Sequence, residues 1–84
     1  MKPVKIYTSP VCGYCGAAKR LLSSLGASYE EVNLWEQPDL VDELQEKYQW
    51  QTVPMIFIDN EFVGGYDDIV ALHTQGVLAQ KLGV

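Results

Sequence analysis

Cys12-Gly13-Tyr14-Cys15 holds the only two cysteines of the chain, three positions apart. Two thiols at this spacing can carry out thiol–disulfide exchange, provided one is reactive and the other within reach. The thiolate is the attacking species, and a free cysteine with a pKa near about 8.5 is mostly thiol at neutral pH. A helix start lowers that pKa, because unpaired N–H groups and the positive end of the helix dipole converge there. Cys12 falls at the start of an expected helix and Cys15 one turn inside it. Cys12 is therefore the expected nucleophile, and Cys15 the resolving thiol that attacks whatever Cys12 becomes bonded to. Lys19 and Arg20 follow within two turns. Arg20 reads as a solvated helix residue; Lys19 divides evenly between that role and adding positive potential at the thiol. The pair could instead be an inert buried dithiol or half of a zinc site. Position 12 precedes the helix rather than lying in its apolar stripe, which opposes the first. Zinc wants four ligands, and the chain offers one histidine, His73, and no second cysteine pair. His73 itself reads as an ordinary helix residue.

Two further constellations carry chemistry. In Thr52-Val53-Pro54-Met55 the proline opens a strand, where its missing donor is tolerated. A Val–Pro bond is one of the few that can be cis. A cis bond would turn the Thr52–Val53 backbone outward toward an extended peptide; a plain trans proline at a strand start explains the same residues. In Gly64-Gly65-Tyr66-Asp67-Asp68 the glycines allow close backbone approach. The helix start that follows offers N–H groups to a carboxylate, and Asp67 can accept from an ammonium group. Together they would suit an amino-acid zwitterion, while a hairpin end followed by a helix cap accounts for them equally.

The elements that must position these residues are legible as patterns. Val4-Lys5-Ile6-Tyr7 is a β-rich run closed by Thr8-Ser9-Pro10. From Gly13 to Leu25, Ala17, Ala18, Leu21, Leu22 and Leu25 recur at helical spacing, and Gly26 is the stop. Tyr29 to Leu34 is a second strand. Pro38 opens a second helix where its missing N–H costs nothing, with a stripe of Leu40, Val41, Leu44 and Tyr48. Met55 to Ile58 is a strand, Asp59-Asn60 a turn, and Glu61-Phe62-Val63 the hairpin partner, broken by Gly64-Gly65. Asp67 or Asp68 can cap a third helix to about Thr74 with Ile69, Val70 and Leu72 inward. Gly76 ends it. Val77 to Leu82 fits a short helix or a packed tail. The order β-α-β-α-β-β-α implies a parallel pair joined by a right-handed crossover and an antiparallel hairpin edge. This is an α/β, four-stranded mixed sheet with helices on its faces.

Composition bounds the function. At 84 residues, residues 1–84 are expected to form a single domain. A net charge of −5 with six scattered Lys and Arg argues against nucleic acid, which needs a basic stripe. No apolar run approaches the roughly 20 residues needed to span a bilayer, so no membrane partner is expected, and no secretory signal is visible. Two cysteines this close cannot staple a fold by loop entropy. A reducing, cytoplasmic setting and a redox-active pair follow as expectations.

Taken together, Ile6-Tyr7-Thr8, Cys12-x-Tyr14-Cys15 with Ala18-Lys19, Thr52-Val53-Pro54-x-Ile56-Phe57-Ile58 and Gly64-Gly65-x-Asp67-Asp68 resemble the glutaredoxin family over nearly the whole chain. The resemblance implies a thioredoxin-like fold with a cis Pro54. It implies that glutathione, the reducing co-substrate, binds as an extended peptide along Thr52, Val53 and Pro54. Its γ-glutamyl end would be held by Gly65, Tyr66 and Asp67, with Tyr14 lining the groove. It further implies a monomeric enzyme that reduces protein–glutathione mixed disulfides and protein disulfides through Cys12 and Cys15.

The chain departs from the family pattern at three places. Gly13 stands where proline is commonest, which loosens the helix start. Members with a smaller residue there are more often associated with a glutathione-ligated iron–sulfur cluster, so a dimeric [2Fe–2S] carrier bridged by Cys12 is a second expectation. Four thiolates, from two chains and two glutathiones, would complete it. Ser9 and Trp50-Gln51 replace basic residues that help hold the glycine carboxylate of glutathione, so weaker and less salt-sensitive binding is expected. Trp50, if exposed, would form part of a protein-contact surface. A thioredoxin-like donor fed by thioredoxin reductase is the third reading; Val11 stands where that family has tryptophan.

Overall fold

The structure, a computed structural model, describes residues 2–9, 13–49 and 53–83. Strand β1 (Val4–Thr8) leads to helix α1 (Gly13–Ser24), then β2 (Glu30–Asn33), helix α2 (Pro38–Tyr48), the hairpin β3 (Met55–Ile58) and β4 (Glu61–Gly64), and helices α3 (Tyr66–Thr74) and α4 (Leu78–Leu82). The four strands form one sheet in the order β2-β1-β3-β4. β1 runs parallel to β2, with Thr8 opposite Asn33, and antiparallel to β3, with Tyr7 opposite Met55. β4 returns antiparallel to β3, with Ile56 opposite Gly64. These registers bring the ends of β1, β2 and β4 and the beginning of β3 to one edge of the molecule. The four-stranded mixed sheet flanked by helices is the thioredoxin-like arrangement expected.

Successive strand side chains point to opposite faces, and each face has its own core. Val4, Ile6, Ile56 and Ile58 pack with Ala18 and Leu22 of α1, Ile69 of α3, and Leu78 and Leu82 of α4. Tyr7, Met55 and Phe57 pack on the other face with Leu34 and with Leu44 of α2. Phe57 centres an aromatic group there, with Tyr7, Tyr48 and Phe62 at ring-centroid distances of 5.5, 5.2 and 5.1 Å. The α1 stripe extends to Cys15, which is buried beside Ala18 and Leu22 in the helix sequence.

The structure departs from the expected elements at three places. β2 stops at Asn33, whose side-chain Oδ1 accepts from the Trp35 N–H at 2.9 Å and turns Leu34–Glu36 into a 3-10 helix. Gly64 stays in β4 at φ +118°. α3 starts at Tyr66 with Gly65 as its N-cap, and Asp68 caps it from the third helical position, its carboxylate accepting from the Gly65 N–H. The tail left open is a helix, because Leu78 and Leu82 lie one turn apart and both are fully buried. The Asp59-Asn60 turn has φ of 53° and 66°, positive at both positions as a two-residue hairpin requires.

Candidate active site

Cys12, Thr52, Trp50 and Gln51, all weighed in the sequence, lie outside the described residues. In sequence Cys12 immediately precedes α1, whose first residue is Gly13. Cys15, in the first turn of the helix, is 3% exposed. The two aromatic residues nearest the helix start divide differently from a core stripe: Tyr14 is 64% exposed, and its ring stacks on Tyr66 at 5.8 Å and 29°. That stack joins the first turn of α1 to the first turn of α3. Offset aromatic pairs of this kind add about 0.5–1.5 kcal/mol beyond the area they bury.

Between the two helix starts lies a cleft of about 480 Å³ lined by Tyr14, Val53, Pro54, Gly65, Tyr66, Asp67 and Asp68. Every described member of the expected glutathione site is in it. The Val53–Pro54 peptide is cis, and Pro54 is fully buried beneath the cleft floor. Asp68 is an addition that the sequence suggested only as a helix cap. Its Oδ2 accepts from the Gly65 N–H at 2.9 Å, the reach-back half of a capping box. Asp67 and Asp68 both line the cleft and are exposed, Asp68 being engaged with the Gly65 N–H. A hollow of similar size, about 510 Å³, lies by the start of β1 and is rimmed by Lys5, Glu30, Glu43 and Lys47. It is at the far end of the sheet from these residues.

Lys19, evenly divided in the sequence, is committed elsewhere. Its Nζ lies 3.2 Å from both oxygens of Glu31 on β2, and the buried Thr8 hydroxyl donates to Glu31 Oε2 at 2.8 Å. The Thr8 hydroxyl, and secondarily Lys19, hold the Glu31 carboxyl below its usual range against partial desolvation. Sequence reasoning missed Glu31 because a glutamate on an edge strand reads as a solvated charge. The signal available was Thr8, a hydroxyl at the inward end of an apolar strand that needs an acceptor. His73 is exposed in the last turn of α3, an ordinary helix residue as expected.

Residues 4–63 match the family model of glutaredoxins. Glutaredoxin 3 of Escherichia coli strain K12 is 42% identical over 78 residues, covering 93% of this chain and 94% of that protein. Among solved structures, the buckwheat glutaredoxin–glutathione complex superposes with a TM-score of 0.92 at 30% identity, covering 98% of this chain and 77% of that one. The holo form of glutaredoxin C1 from Populus tremula x tremuloides does so with a TM-score of 0.91 at 37% identity, covering 96% and 83%. With a thioredoxin-like sheet, a cysteine-bearing helix start and a peptide-sized cleft beside it, the chain belongs to the glutaredoxin family of thiol–disulfide oxidoreductases, which use glutathione.

Proposed function

We propose that this protein is a dithiol glutaredoxin that reduces protein–glutathione mixed disulfides and protein disulfides with glutathione as electron donor. The observation that carries it is the cleft joining the first turn of α1 to the start of α3, with Tyr14, Val53, Pro54, Gly65, Tyr66 and Asp67 in one wall and floor. A γ-glutamyl end fits there as a zwitterion: its carboxylate meets N–H groups at the start of α3, and its ammonium meets Asp67. The buckwheat relative is described as a glutathione complex, which supports the same use of this cleft.

In the mechanism, the Cys12 thiolate attacks the glutathione sulfur of a mixed disulfide. A Cys12–glutathione disulfide forms, the target sulfur leaves as thiolate, and it takes a proton from solvent. A second glutathione, as thiolate, attacks that bond, releasing glutathione disulfide and restoring Cys12. For a protein disulfide, Cys12 forms a mixed disulfide with the target and Cys15 attacks Cys12, leaving a Cys12–Cys15 bridge that two glutathiones reduce. Because Lys19 is paired with Glu31, activation of Cys12 rests on the helix start rather than on that lysine. Cys15→Ser is expected to keep turnover of glutathionylated peptides and lose most reduction of protein disulfides, measured by coupled glutathione oxidation. Retained deglutathionylation by Cys12→Ser would overturn the assignment.

A second reading, a glutathione-ligated [2Fe–2S] carrier, is favoured by Gly13. That residue is exposed, and a Cβ placed on it would meet nothing within 4 Å, leaving open room beside the helix start. A structural relative is also described in a holo form. Among the described residues no group of three or more His, Cys, Asp or Glu is placed to hold a metal. Cys12 would therefore supply one ligand, and a second chain and two glutathiones the rest. The visible absorbance of protein purified without oxygen in the presence of glutathione separates the two readings.

A further inference from the structure

Among the described residues two large apolar side chains stay exposed, Tyr14 and Trp35. Tyr14 is accounted for by its stack on Tyr66 and its place in the cleft. Trp35 is not. It is 63% exposed, and its ring has no aromatic, cationic or hydrogen-bonded partner among the described residues. The turn that carries it does not need an indole. Asn33 Oδ1 accepts from the Trp35 backbone N–H at 2.9 Å, and the Gln37 N–H donates to the Leu34 carbonyl at 3.1 Å. Leu34, 4% exposed, anchors the turn in the core it shares with Leu44 of α2. The ring is thus held out on a fixed backbone, where any polar side chain would serve the turn equally.

Its position gives the ring a use. Thr8, which ends β1, stands opposite Asn33, which ends β2. Trp35 follows Asn33 in the turn, so it stands one strand across from the end of β1, at the edge of the sheet from which the chain runs on to Cys12 and α1. The cleft lies on the other side of β1, at the beginning of β3 and the end of β4. The β2 side of this edge is therefore open to a protein that presents a disulfide to Cys12. The side chains beyond Trp35 set the sign of that partner. Glu36, Asp39, Asp42, Glu43 and Glu46 follow it with no basic residue before Lys47. All five are exposed, and none is in an ion pair among the described residues. A tryptophan held in place before binding is the kind of side chain that anchors an interface. Charges around it steer a partner of opposite sign and reject one of like sign. We propose that Trp35 and the acidic first turns of α2 dock the protein whose disulfide is reduced, and that this partner is basic and apolar beside its disulfide. A second copy of this chain would set like charges together there. The inference rests on the protein-disulfide reading above and names the partner class; a small glutathionylated substrate does not need the surface.

The test uses two disulfide peptides that differ only in a flanking segment, leucine with lysine in one and leucine with glutamate in the other. Cysteine–glutathione disulfide is the small substrate. Glutathione supplies both electrons in every case, and its oxidation is followed. Each catalysed rate is divided by the uncatalysed rate of the same disulfide with glutathione, which removes differences in intrinsic reactivity. The lysine peptide is expected to exceed the glutamate peptide in kcat/KM by about tenfold at low salt, with the ratio falling toward one near about 0.5 M salt. Asp39→Asn with Asp42→Asn should lower that ratio. Trp35→Ala should lower kcat/KM for the lysine peptide by about five- to thirtyfold and leave the small substrate within about twofold. Trp35→Phe should restore most of the loss. An equal loss on the small substrate, no loss on the lysine peptide, or no preference between the peptides would overturn the proposal. So would an iron-free wild-type dimer in sedimentation that Trp35→Ala dissociates, which would give the surface to a second copy. Turnover of the small substrate with neither peptide reduced would overturn the protein-disulfide reading, and this proposal with it.

Discussion

Among single residues, Glu31 shows most clearly how neighbours decide what a charge is for. The Thr8 hydroxyl and the Lys19 ammonium both donate to it, and its carboxyl is held below the ordinary glutamate value. A carboxyl depressed by folding contributes stability that is fully present above its unfolded pKa, about 4.3. That contribution is lost as pH falls through the lower folded value. Its side chain is 39% exposed, so solvent screening keeps the contribution under about 1 kcal/mol. Thr8→Val should raise the Glu31 titration midpoint, because the hydroxyl is the main cause of the depression; carboxyl chemical shifts followed through a pH titration measure it. Glu31→Gln should flatten the dependence of stability on pH below about 4.3. An unchanged midpoint in Thr8→Val would show that Lys19 rather than Thr8 holds the carboxyl.

At the scale of elements, the junction of β4 and α3 separates two aspartates that are adjacent in sequence. Gly64 has φ +118°, and a Cβ there would run into the Asp68 side chain, with Cγ at 2.6 Å and Cβ at 2.9 Å. Glycine is required both by the backbone angle and by the space. Gly64→Ala should therefore cost about 1–3 kcal/mol. Asp68→Ala, which removes the acceptor of the Gly65 N–H, should cost about 1 kcal/mol. Asp67→Asn should leave stability unchanged and raise the KM for glutathione several-fold. Denaturation midpoints and steady-state kinetics on the three variants separate the roles. A stability loss in Asp67→Asn, or a KM change there no larger than in Arg20→Ala, would contradict the division. This junction also marks where sequence reasoning ran short. A Gly-Gly pair reads as a strand breaker, and only the pairing of Gly64 with Ile56 shows that the strand continues through the first glycine and the helix caps on the second.

For the whole molecule, the sheet and its two faces were legible because alternation in Val4–Thr8 and Met55–Ile58 and helical spacing in α1 and α2 are strong, local signals. The cleft was legible through Tyr14, Pro54 and Asp67, whose side chains or backbone are unusual for the elements that carry them. What escaped was set by contacts distant in sequence: the Thr8–Glu31–Lys19 group, the Asn33 cap that ends β2, and the C-terminal tail. Five residues of α4 are too few for a period to declare itself, and only the fold shows what they cover. Leu78 and Leu82 are both fully buried, in one cluster with Val4, Ile58 and Ile69. The Lys2 N–H donates to the Leu82 carbonyl at 2.8 Å, tying the beginning of the sheet to the last helix. A fully buried leucine cut to alanine costs about 2–5 kcal/mol, and a small domain has about 5–15 kcal/mol in all. Leu82→Ala should therefore remain folded with a clearly lowered denaturation midpoint. Leu78→Ala with Leu82→Ala should approach the limit of stability, and removal of residues 77–84 should leave the chain unfolded at 25 °C, as followed by far-UV circular dichroism. A truncated chain that melts within a few degrees of the intact one would show that α4 only decorates the core instead of closing it.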